Sequence, residues 1–366
     1  MTDLAVRKDE QVIFALRSLY EKYGYSQYKM TKFEEYDLYV RNKDFLISDN
    51  IITFNDTNGK LMALKPDVTL SIIKNNQDCT QSVRKVYYNE NVYRVSKGTN
   101  SFKEIMQTGL ECLGDIDDYS LAEVLSLAAQ SLKSISDECI LSVSDIDIIS
   151  FVLDRENISD DIKADIMKLI GEKNLHELNA LCNSAEISDS STAVLSELTS
   201  LHGKPEAVTP KLKALLPDCD EVDKFETILS ALSDELKDII EIDFSITGDS
   251  KYYNGITFKG YVSTISGSVL SGGQYDKLMR RMKQKSNAVG FAIYMDMLES
   301  LNEIFSEYDV DTVLFYKEHD NIKALNAEIR KLTENGRSVI AVKAVPEKLR
   351  YRELMKFDGK EAKTCE

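Results

Sequence analysis

Glu104-Ile105-Met106-Gln107-Thr108-Gly109-Leu110-Glu111-Cys112-Leu113 is a mostly apolar stretch in which two of the polar residues, Gln107 and Glu111, are set four positions apart. A strand turns successive side chains to opposite faces, so residues four apart share a face. If this stretch is a strand, Gln107 and Glu111 look into the same space, as two polar groups of one pocket must.

Working outward, Val83–Tyr88 and Asn91–Val95 predict a further strand pair, with Ser96–Ser101 as the loop leading to the central stretch. Ile51–Phe54 and Leu61–Leu64 flank Asn58-Gly59, a strong hairpin signal. Val12, Ile13, Leu16, Leu19 and Tyr20 form a helical stripe over Lys8–Tyr23, closed by Gly24. Downstream, Ser120 opens a helix to Ser134. Residues 146–240 carry short amphipathic patterns rich in Leu, Ile, Glu and Lys and no strand signal, which predicts a helical insertion. Strand character returns at Ile242–Ile246, Gly255–Val262 and Ala288–Ile293, the last leading into a helix over Met295–Phe305. Thr312–Phe315, Ile322–Glu334 and Ser338–Val342 predict a small βαβ-like unit, followed by a charged segment with little periodicity through Cys365. Core segments 1–145 and 241–306, an insertion over 146–240 and a C-terminal unit over 307–366 are the expected organisation.

The 366 residues carry 45 Lys+Arg against 61 Asp+Glu, a formal net charge of −16 that repels a phosphate backbone and argues against attraction to tRNA. The six cysteines (Cys79, Cys112, Cys139, Cys182, Cys219, Cys365) form no C-x-x-C pair, so reduced thiols are expected, with no metal site and no cofactor. His176, His202 and His319 stand apart in regions without a motif and are expected to be solvated or core histidines. The chain has no apolar run of membrane length, and the N-terminal residues lack the apolar core of a secretory signal; a cytoplasmic location without membrane attachment is expected.

Leu64-Lys65-Pro66-Asp67-Val68-Thr69, alone, is a strand exit into a proline turn with Asp67 or Thr69 capping a helix. It occurs, however, together with Gln107–Asp115, Tyr252-Tyr253-Asn254-Gly255-Ile256-Thr257-Phe258, Ser271-Gly272-Gly273-Gln274-Tyr275-Asp276 and Ala288-Val289-Gly290-Phe291-Ala292. In this order and spacing the five motifs resemble histidyl-tRNA synthetase and its paralogues, over residues 1–305. The resemblance implies an α+β fold, the class II aminoacyl-tRNA synthetase-like antiparallel sheet flanked by helices, with a helical insertion and a small C-terminal α/β remnant. It also implies that Asp67, Thr69, Gln107 and Glu111 face an amino-acid pocket.

That residue set suits free histidine, which offers an ammonium, a carboxylate and an imidazole with two distinguishable nitrogens. Asp67 and Thr69 accept from the ammonium, Gln107 adds a polar contact, Glu111 accepts from an imidazole N–H, and Tyr252 or Tyr253 packs near the ring.

Amino-acid activation also needs cations to hold ATP phosphates. Arg94 matches a motif 2 arginine of the family, but Val95-Ser96-Lys97 replaces the His-x-Glu after it. Gly248 stands where the synthetases have a histidine-specific arginine, and Met297 where an ATP-clamping arginine belongs. Lys251 is a partial substitute toward a ligand carboxylate; Arg94 and Lys251 are thus vestigial or anion-binding candidates.

A kept histidine pocket without nucleotide contacts resembles the regulatory subunits of ATP phosphoribosyltransferase. That resemblance implies no turnover by this chain itself and no tRNA. It implies a homodimer through the core, a hetero-octamer with the short catalytic subunit, and histidine as feedback effector in histidine biosynthesis. A catalytically active synthetase-like ligase, a module serving another amino-acid pathway or a translation-related kinase, and a structural scaffold are the alternatives.

Overall fold

The computed structural model describes residues 8–42, 51–76, 82–95, 101–248, 252–302, 308–318 and 320–365. The chain divides into two compact units, one of Asp9–Ser300 and one built from Leu301–Glu366 with the first residues.

Six strands form the middle of the larger unit's sheet: β1 (Val83–Val95), β2 (Phe102–Gly114), β3 (Cys139–Asp145), β4 (Asn254–Val262), β5 (Ser268–Gln274) and β6 (Asn287–Tyr294). They lie in the order β1-β2-β6-β5-β4-β3, every neighbour antiparallel, as the fold class requires. Parallel pairing enters at the edges: Ser26–Gln27 runs beside β1, and Ile240–Asp243 beside β3.

One face of the sheet is covered by the helices Lys8–Lys22 and Asp118–Ile135. Tyr20 stacks 6.1 Å from both Tyr87 and Phe291, and its hydroxyl meets Ser131 Oγ at 3.0 Å. The second helix starts where Asp117 accepts from the Ser120 amide, satisfying one of the free N–H groups of the first turn. Its Leu132 fills the space over Gly260, where a Cβ would come within 2.6 Å of the leucine side chain. The site lies on the opposite face.

The expected hairpin is present as Thr53–Asn55 and Leu61–Leu64, with Gly59 at φ +78° and Asp56 Oδ1 accepting from the Asn58 and Lys60 amides. Helices fill residues 146–237, interrupted by the two-residue strand His202–Gly203, which the sequence did not signal.

Four other expectations need correction. Val83–Tyr88 and Asn91–Val95 are not a strand pair but one continuous strand, because the polar Asn89-Glu90-Asn91 stretch is paired instead of turned. Asn89 accepts from Thr108 and Asn91 donates to Glu104, both on β2. The strand placed at Ile242–Ile246 runs Ile240–Asp243 and ends where Asp243 Oδ1 accepts from the Ser245 amide. After β6 the chain forms a 3₁₀ helix, Met295–Asn302; the rest of the helix expected to Phe305 lies outside the described residues.

In the smaller unit, Val310–Phe315 pairs in parallel with Val339–Val342 across the helix Ile322–Glu334, as a βαβ unit. The segment expected to be irregular adds two strands, Tyr351–Phe357 and Ala362–Thr364, to that sheet. Its charges are paired to other parts of the sheet: Arg337 with Glu353 at 2.6 Å and Arg352 with Asp311 at 3.4 Å.

Candidate functional site

On its open face the middle of the sheet is paved with small residues. Strand register sets Gly109 (β2), Ala292 (β6), Ser271 (β5) and Lys259 (β4) in one row, and Glu111, Gly290, Gly273 and Thr257 in the next. Directly opposed residues point to the same side of a sheet, so short side chains in adjacent rows leave a trough. The trough is a cavity of about 220 Å³.

Asp67, Thr69, Gln107, Glu111, Tyr252 and Tyr253 all line this one cavity, and Arg94 lines it too. Lys251 lies outside the described residues. Gln107 and Glu111 point from the same face of β2, as their spacing implied, and both are almost fully buried.

Glu111 is held at both oxygens. Thr69 Oγ1 donates to Oε1 at 2.7 Å, and the Tyr275 hydroxyl donates to Oε2 at 2.6 Å. Among the described residues no cation pairs with it, and burial pushes its carboxyl up to about 8 against the favourable pull of the two hydroxyls. Near neutral pH it is mostly protonated and able to donate as well as accept. Gly290 makes room for it: a Cβ there would fall 1.8 Å from Oε2.

Asp67 and Thr69 ride on a turn fastened to β1. Lys65, buried beneath it, pairs with Glu90 at 2.5 Å, and the Lys65 carbonyl accepts from the Tyr93 amide. Arg94 Nε donates to the Pro66 carbonyl at 2.8 Å, and its Nη2 lies 3.9 Å from Asp67. Asp67 Oδ1 also accepts from the Leu70 amide, so that of the two capping candidates, Asp67 and Thr69, it is Asp67 that meets a first-turn amide while the Thr69 hydroxyl goes to Glu111. Burial raises the Asp67 carboxyl, and Arg94 opposes that rise. The arginine's visible work is thus to hold the turn and its carboxylate in place.

Aromatic rings form a wall. Tyr252 and Tyr253 lie 4.6 Å apart, and Tyr252 is 5.9 Å from Tyr275. Gly248 has φ +60°, and a Cβ there would come within 3.0 Å of the Tyr253 ring. The backbone at this position is shaped for glycine, with tyrosine filling the adjoining space.

Tyr88, Tyr275 and Lys259 belong to the lining but were not singled out from the sequence. Tyr275 lies within Ser271–Asp276, one of the five family-like motifs. Its contact with Glu111 spans 164 residues and has no local signature. Away from the site, Cys112, Cys139, Cys182 and Cys219 are buried free thiols and Cys365 an exposed one, while Cys79 falls outside the described residues. His176 and His202 are exposed; His319 also falls outside. Among the described residues no helix is long and apolar enough to cross a membrane.

The family described as Histidyl-tRNA synthetase matches residues 3–298. A Clostridium kluyveri protein named ATP phosphoribosyltransferase regulatory subunit is 29% identical over 346 residues, 90% of this chain and 88% of that protein. Among solved structures, an ATP phosphoribosyltransferase regulatory subunit/histidyl-tRNA synthetase from Bacillus halodurans C superposes with TM-score 0.76 at 20% identity, covering 95% of this chain and 93% of that one. A chain of the ATP phosphoribosyl transferase (HisG:HisZ) complex from Thermotoga maritima superposes with TM-score 0.62 at 20% identity, covering 80% and 98%.

Proposed function

The chain belongs to the histidyl-tRNA synthetase family, and from that premise we propose that it is the regulatory subunit of an ATP phosphoribosyltransferase, binding free histidine in the sheet cavity and performing no turnover of its own. The observation that carries this reading is the content of the cavity. It holds Asp67 for an ammonium, Glu111 between two hydroxyls for an imidazole, and an aromatic wall for the ring. At Gly248 a left-handed glycine, closed over by Tyr253, stands where activation chemistry would need an arginine.

The names of the Clostridium kluyveri relative and of the Thermotoga maritima complex support the choice of partner, a short catalytic subunit that condenses ATP with phosphoribosyl pyrophosphate. The chain pairs with itself through its core and with that subunit in a hetero-octamer, in the cytoplasm and without tRNA. Feedback follows if histidine binds one state of the assembly more tightly than the other, since a ligand shifts an equilibrium only by its differential affinity.

The reading is tested by mixing the purified catalytic subunit with this chain and titrating histidine. The expected result is that this chain raises phosphoribosyl transfer and that histidine lowers it again. Transfer indifferent to this chain, or to histidine in its presence, excludes the regulatory role. Histidine-dependent exchange of pyrophosphate into ATP by this chain alone would instead make it a ligase.

A further inference from the structure

A free amino acid brings a carboxylate as well as an ammonium and a side chain, and Lys251, the residue the sequence offers for it, lies outside the described residues. Arg94, one cation of the lining, is committed to the Pro66 carbonyl and to Asp67. Gly248 has no side chain to offer. The other cation of the lining among the described residues is Lys259. We infer that Lys259 Nζ is the carboxylate-binding group of this site, an assignment that rests on the reading of the cavity as a histidine pocket.

Three observations carry it. Lys259 lies on the cavity face of β4, because its neighbour Gly260 is covered by Leu132 on the helix face and side chains alternate along a strand. It is half-buried, and among the described residues no carboxylate pairs with it. Its row continues through the short side chains of Ser271, Ala292 and Gly109, with the Tyr294 hydroxyl reaching in to Ser271 Oγ at 2.8 Å and the Tyr88 hydroxyl lying over Gly109.

The arrangement also fits the polarity of the ligand. β4 is three strands from β2, roughly 14 Å at about 4.8 Å per strand. Lys259 thus enters from one side of the trough while Glu111, and Asp67 on its turn, stand toward the other. An amino acid lying between them has its carboxylate toward the cation and its ammonium and imidazole toward the acids. A lysine is a flexible point charge and gives less directional recognition than an arginine fork, which suits reversible sensing better than holding a reacting carboxylate in one geometry.

The test compares L-histidine with L-histidinol, in which a hydroxymethyl group replaces the carboxylate, by calorimetry on the full chain. The unsubstituted chain is expected to prefer histidine by roughly tenfold or more, the size of a charge-assisted contact. Lys259→Met should bring the two ligands within about threefold of each other by weakening histidine alone, and Lys259→Arg should keep most of the preference. Lys259→Gln, run in parallel, gives the same readout should the methionine variant fail to fold.

A preference left intact in Lys259→Met, or equal affinities in the unsubstituted chain, overturns the lysine assignment while leaving the histidine pocket standing. Failure of the unsubstituted chain to bind either compound overturns the pocket reading, and the assignment with it.

Discussion

Glu111→Gln is expected to weaken histidine binding by roughly thirtyfold or more while making the ligand-free chain more stable above neutral pH. Both effects come from one buried carboxyl. In the empty pocket it is protonated below about 8, instead of near its ordinary value of 4.5, because burial penalises the charged form. The folded state therefore holds this proton more tightly than the unfolded chain does. The stability it contributes is fully present below 4.5 and drains away as pH rises through about 8. Over that window the loss amounts to on the order of a few kcal/mol. Glutamine keeps the volume and two polar atoms, accepts no ionisation penalty, and should flatten the pH dependence.

Asp145, pushed up to about 7 by burial and by the nearby Asp147 charge, adds a slope of the same sign that the substitution leaves in place. Denaturant unfolding of both forms from pH 5 to 9 measures the difference.

The proposed histidine ligand is expected to use the same proton. Between its own imidazole ionisation, about 6.5 in water, and the Glu111 value of about 8, one proton is shared between ring and carboxyl however it is placed. Below that window a second proton must leave, and above it none remains, so affinity should peak within it. A monotonic rise of affinity to pH 10, or a glutamine variant that binds as tightly as the original, would mean that Glu111 does not face the imidazole.

Gly290→Ala is the second substitution with a large expected effect. The added methyl would lie 1.8 Å from Glu111 Oε2 and 2.5 Å from the Leu110 carbonyl. The carboxyl cannot swing aside freely, since Thr69 and Tyr275 hold it, and the carbonyl belongs to the neighbouring strand's backbone. Overpacking at such a site costs about 1–3 kcal/mol, and the displaced Glu111 should take histidine affinity down by roughly a hundredfold or more. Gly59→Ala is the control. Gly59, unlike Gly290, is held at positive φ, +78°, and nothing lies within 4 Å of its Cβ position. Backbone strain alone should cost about 1 kcal/mol there and leave binding untouched. Equal binding losses in the two variants would show that general destabilisation, and not the trough, accounts for the effect.

How much of this was legible in the sequence depends on the range of the interaction involved. The common face of Gln107 and Glu111 follows from the two-residue period of a strand and holds without knowledge of any neighbour. The capping role of Asp67 is equally local, three residues from its partner amide. Continuity of β1 through Asn89-Glu90-Asn91 was not legible, because those residues resemble a turn until Thr108, Glu104 and Lys65 supply their partners. The strand Tyr351–Phe357 was hidden for a similar reason: its charges look like a solvated tail until Asp311 and Arg337 come alongside.

Lys259 sits within β4 and Tyr275 just past the end of β5, and the groups that face them come from distant segments. What they do emerges only when the sheet is ordered β2-β6-β5-β4. The five motifs located the site as a set, while the reasons for its glycines, above all Gly290 and Gly248, are contacts between strands and across the cavity.

The central claim is that the cavity complements a histidine zwitterion and no longer serves a nucleotide triphosphate. Calorimetry on the purified chain, titrated with L-histidine and separately with magnesium-ATP, addresses it most directly. Saturable binding of one histidine per chain with no heat of binding from ATP is the predicted result. Binding of ATP, or silence toward histidine, would contradict it.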